Sequence, residues 1–77
     1  MSGARIWRWP LPPKEFAEYL AANGVILSAR TIRERCALWR RRPNARLGIP
    51  YLRNLGEHPY RIPQSAAARL LSETLAA

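Results

Sequence analysis

Apolar positions recur along this chain at two spacings, and each spacing predicts a kind of element. Phe16 and Ala17 lie four and three residues before Leu20, with Tyr19 at the margin. They predict a helix from Pro13 to Ala22 or Asn23 with one apolar side. Pro13 suits the first helical position, where a missing N–H costs nothing. Asn23-Gly24 predicts the end, with Gly24 left-handed. After a short apolar linker, Val25-Ile26-Leu27, Ser28 is a good N-cap for a second helix reaching Leu38 to Arg41. Pro43 forces its end. On that helix Ala29, Ile32, Cys36 and Trp39 share one face. Arg30, Glu34, Ala37 and Arg41 lie opposite, flanked by Arg33 and Arg40.

The other spacing is alternation. Ile6-Trp7-Arg8-Trp9 places both tryptophans on one side if extended. The segment reads as a short strand against a hairpin, or as an arm whose indoles cap the core, with contact to another protomer as a further reading. Ile49 to Leu52 and Tyr60 to Ile62 read as two short strands, with Asn54-Leu55-Gly56-Glu57-His58-Pro59 turning between them. Gln64 to Leu75 is alanine-rich and predicts a last helix, packed through Leu70, Leu71 and Leu75 with Ala67 allowing close approach. Residues 1–10 form an arm or strand, and residues 11–77 one small domain. Much of the core volume is expected from Trp7, Trp9, Trp39, Phe16, Tyr19, Leu20, Ile32 and Ile62.

Charge changes the picture. The 77 residues carry a formal net charge of +8, and twelve of the 13 basic side chains are arginine. Arginine pairs with phosphate oxygens and guanine edges through a planar fork, so a polyanion is the expected partner. No apolar run approaches the roughly 20 residues that span a bilayer, and no membrane partner is expected. The single cysteine, Cys36, excludes an intrachain disulfide and points to a reducing cytoplasm. Met1-Ser2-Gly3-Ala4-Arg5 is not followed by the apolar run of a secretory signal. With no aspartate, one histidine and one cysteine, the composition offers no catalytic or metal-binding constellation. No enzyme activity and no cofactor are expected.

Three segments in this order carry a resemblance. Leu11-Pro12-Pro13-Lys14-Glu15-Phe16-Ala17-Glu18-Tyr19-Leu20 looks like an opening helix, Ser28-Ala29-Arg30-Thr31-Ile32-Arg33 like a recognition-helix start, and Tyr60-Arg61-Ile62-Pro63 like a strand closing a wing. Together they resemble the small excisionases of the MerR-like winged helix-turn-helix superfamily. The chain departs from the family's pattern in Pro12 at the usual N-cap position, and in longer segments before Ser28 and from Trp39 to Gly48. The resemblance implies an α+β fold of about three helices with a two-stranded wing. It also implies a recombination directionality factor, which binds and bends double-stranded DNA at attachment-site repeats. Further copies along the DNA and a tyrosine integrase are the partners so implied. A variant reading is a transcriptional regulator at an operator. An unrelated reading is a small protein-interaction module whose tryptophans form the contact.

Site residues follow for a DNA-binding protein. Arg30 and Arg33 are the expected base readers, since arginine pairs bidentately with guanine. Ser28 and Thr31 either hydrogen-bond a phosphate at the helix N-terminus or serve as cap and local backbone partner. Glu34 either accepts from cytosine or pairs with Arg30 or Arg41. Arg40, Arg41 and Arg42 either contact phosphates or form a solvated helix end that complements the macrodipole. Arg53, His58 and Arg61 are wing candidates. Cys36 reads as a small core residue.

Overall fold

Helix α1 (Pro13–Ala22) starts at a proline and stops at a glycine, each for a local reason. In this computed structural model, which describes residues 6–53 and 60–75, Pro12 occupies the N-cap without a side-chain bond. At the other end Val25 N–H donates to the Leu20 carbonyl at 2.8 Å and Gly24 N–H to Ala21 at 3.1 Å. Gly24 takes φ +87°, which lets these two bonds close as a Schellman motif. The expected apolar contact across that motif is present, since Leu20 and Val25 are both in the core.

Helix α2 (Ala29–Arg41) begins at Ser28, whose hydroxyl oxygen accepts from the Thr31 N–H at 3.1 Å. The Ser28 hydroxyl in turn donates to Thr31 Oγ1 at 3.0 Å. Two antiparallel strands follow, β1 (Leu52–Arg53) and β2 (Tyr60–Arg61), with Leu52 opposite Arg61 and Arg53 opposite Tyr60. Helix α3 (Gln64–Leu75) closes the order, and the Pro63 carbonyl accepts from Ala66 and Ala67 in its first turn. The fold is α+β: three helices and a two-stranded antiparallel sheet.

The core gathers one face from each helix. Phe16, Leu20, Ile32, Cys36, Ile62 and Ala67 are fully buried, joined by Leu11, Ile49, Val25 and Ala66. Leu70 and Leu71 pack at its margin, as expected; the Leu75 side chain lies outside the described residues.

One expectation needs correction. The first β-segment was expected from Ile49, but pairing starts at Leu52. Ile49 N–H is engaged by the Arg35 carbonyl of α2 at 3.1 Å, and Pro50 has no N–H to offer a strand. Ile49 is therefore a buried tether between the loop and α2. Of the two readings open for the arm, the indole cap holds and the strand does not. Residues 6–9 are irregular, and the single bridge to the hairpin end is made by Leu11, which exchanges bonds of 2.9 and 2.8 Å with Ile62. The indoles cap α1 instead. Trp9 meets Tyr19 edge-on at 4.8 Å and Phe16 at 6.4 Å, and Trp7 meets Tyr19 at 5.3 Å. Such pairs add about 0.5–1.5 kcal/mol each beyond area burial.

Trp39 anchors the long segment after α2. A Cβ on Gly48 would stand 3.1 Å from the Trp39 Cα, Cβ and Cε3 atoms. A side chain here fits only if Trp39 gives way by a few tenths of an ångström. Gly48→Ala is expected to destabilise by about 1–3 kcal/mol through overpacking. Urea titration followed by circular dichroism measures this, and an unchanged midpoint would mean that Trp39 shifts freely.

The Cys36 thiol is buried, and that desolvation pushes its pKa up from 9.0 to about 12. The folded state thus retains a proton that the unfolded chain releases first. This contribution to stability is intact below about pH 9 and is lost as pH rises toward 12, at up to about 1.4 kcal/mol per pH unit. Over that window the stability of the protein is expected to fall more steeply than that of Cys36→Ala. Urea midpoints at a series of pH values make the comparison, and parallel profiles would show an unshielded thiol.

Candidate nucleic-acid interface

Helix α2 turns its arginines away from the core because Ile32 and Cys36 fix which side is inside. Arg30, Arg33, Arg40 and Arg41 are exposed on the outward side, and Arg42 continues the series just past the last turn. Among the described residues none of these five makes an ion pair. Arg30 sits in the first turn, where the macrodipole favours an acid, and that turn contains none. A cation there costs the isolated helix a few tenths of a kcal/mol, a local conflict of the kind found at functional surfaces. Arg40 and Arg41 sit at the opposite end, where the dipole favours them.

Glu34 is also exposed on this side, and among the described residues it pairs with neither Arg30 nor Arg41. Its carboxylate is therefore free to accept from a ligand. Ser28 and Thr31 satisfy each other, which makes capping the established role of Ser28. The Thr31 hydroxyl hydrogen keeps no partner among the described residues.

The hairpin lies beside this surface. Glu34, Ala37, Arg40 and Arg41 form one wall of a shallow concavity, and Tyr60 of β2 forms the other. Tyr60 is held by edge-on contact with Tyr51 at 4.7 Å. The register separates the hairpin candidates. Arg53 stands opposite Tyr60, so it shares the face that meets α2, whereas Arg61 shares the other face with Leu52. The structure thus leaves Arg30, Arg33, Glu34, Arg40 and Arg41 on the outward side of α2, with Arg53 on the Tyr60 face of the hairpin and Arg61 on its other face. His58 lies outside the described residues.

Sequence reasoning missed Tyr60 as a wall of this concavity. No periodicity within one helix reports which side of it a distant hairpin will occupy. Comparison with family models, curated proteins and solved structures finds no match to the chain. Among the described residues no helix is long and apolar enough to cross a membrane.

Proposed function

We propose that this protein is a sequence-specific DNA-binding and DNA-bending factor of the excisionase type, with a winged helix-turn-helix arrangement in which α2 reads the major groove. In this reading the hairpin is the wing and grips the adjacent backbone. The observation that carries it is the row of unpaired, exposed arginines along the outward side of α2, flanked by Tyr60 and Arg53. An α-helix fits the major groove, and arginine is the commonest reader of guanine there. The helix N-terminus adds a partial positive charge for a phosphate beside Thr31. Arg40, Arg41 and Arg42 then neutralise backbone charge at the far end of the helix. The protein itself performs no covalent chemistry in this role. It bends attachment-site DNA, in several copies, so that a tyrosine integrase excises the element.

A gel-shift titration on attachment-site DNA against random DNA of equal length tests this, run at two salt concentrations with circularly permuted probes. Stepwise, specific and salt-sensitive complexes with position-dependent mobility are expected. A specific complex without bending would indicate an operator-binding regulator. Absence of any DNA preference would overturn both readings.

A variant assigns the reader. Arg33→Ala is expected to cost about 1–3 kcal/mol on specific DNA and much less on random DNA. Equal losses on the two would remove Arg33 from the base-reading set.

A further inference from the structure

The arginines of α2 do not all face one way. Arg35 follows Arg30 by five residues, a rotation of roughly 140° around the helix axis. It lines a half-open groove between α2, residues 46–50 and α3. Arg46 and Arg69 stand on the same groove, with Leu47, Ile49 and Leu70 among its apolar lining. Leu47 is 59% exposed, so its side chain is open to an apolar contact from outside.

We propose that this groove docks an acidic segment of another protein, anchored by an apolar side chain against Leu47 and Leu70. Charge selects the occupant. Three arginines line the groove against one acid, Glu73, and Glu73 is already paired with Arg69 at 3.2 Å. Arg35 and Arg46 have no carboxylate partner among the described residues. Arg69 is held in place from two directions, since it also lies 5.8 Å from the Trp39 ring centroid. A side chain already ordered loses little freedom on binding, which favours affinity.

Other occupants fit less well. A nucleic-acid backbone would leave Leu47 and Leu70 uncovered. A second copy of this chain carries the same +8 charge and has no aspartate and only five glutamates to offer. An acidic peptide with an apolar anchor satisfies both the arginines and the leucines. This inference is independent of the DNA reading, because the groove lies on a different side of α2 from the concavity beside Tyr60.

The test uses a short fluorescein-labelled peptide of glutamate and leucine, with a lysine–leucine peptide as control. Anisotropy gives the affinity, and amide chemical shifts of the isotope-labelled protein give the location. The acidic peptide is expected to shift amides of residues 46–49 and 66–70. Leu47→Ser, an exposed and charge-neutral change, is expected to weaken it about tenfold while leaving DNA affinity unchanged. Several outcomes would overturn the proposal: equal binding by Leu47→Ser, equal binding of the lysine peptide, or shifts confined to the outward side of α2. Displacement of the peptide by an RNA oligonucleotide acting on those same groove amides would assign the groove to nucleic acid instead. Self-association that protects them would assign it to a second copy. Failure of DNA binding alone would leave the groove proposal standing, so the two readings are separately refutable.

Discussion

Phe16→Ala is expected to destabilise the protein by about 3–5 kcal/mol, a large share of its total stability. Phe16 is fully buried in one cluster with Ile32 and Ile62, and its ring lies edge-to-face with Trp9 at a centroid distance of 6.4 Å. Removing its ring deletes the largest side chain among the fully buried residues. The cavity would open beneath Trp9, and a chain this small has little other packing to collapse into it. At roughly 0.05–0.15 kcal/mol per residue, a domain of this length has about 4–12 kcal/mol in total. Ile6→Ala is the matched control, because Ile6 is 84% exposed and its loss should fall within about 0.5 kcal/mol. Urea unfolding followed by circular dichroism measures both. A loss below about 1 kcal/mol for Phe16→Ala would show that the core is not organised around α1.

The second large effect concerns the proposed DNA contact. Combined replacement of Arg40, Arg41 and Arg42 by glutamine is expected to flatten the dependence of log affinity on log salt by about 2.7, from three phosphate contacts at about 0.9 each. Near physiological salt that corresponds to a loss on the order of 100-fold. Specific and random DNA should lose equally, because phosphates carry no sequence information. This behaviour separates the three arginines from Arg33, whose loss should be selective. Glutamine preserves helix propensity, although Arg40 and Arg41 also complement the α2 macrodipole. A helicity control by circular dichroism therefore accompanies the binding curves. An unchanged salt slope would mean that the end of α2 points away from the duplex.

The parts of the fold that were legible in the sequence are those decided locally. Pro13, Gly24 and Ser28 act on their own backbone, and the helices begin and end where those residues predict. The packing face of α2 followed from its own periodicity, as Ile32 and Cys36 show. What was not legible depended on partners distant in sequence. Ile49 looked like a strand residue until its N–H found the carbonyl of Arg35. The tryptophans of the arm left strand and indole cap both open; Pro10 and Pro12 lack the N–H groups of a strand, and the indoles settle on Tyr19. The candidate surface was half legible. The outward arginines of α2 could be grouped from spacing alone, whereas the division of Arg53 from Arg61 required the register of the hairpin.

The Leu11–Ile62 bridge joins positions far apart in the sequence. Its consequence is kinetic. Helices α1 and α2 contain their own stop and start signals and can form early, but this bridge must wait for the ends to meet. Closing so long a loop costs entropy before the buried contact of Leu11 with Ile62 repays it. The last event of folding should therefore be the docking of the hairpin end beside Leu11. Fragments cut before Ile62 should then remain helical in part without acquiring a fixed core.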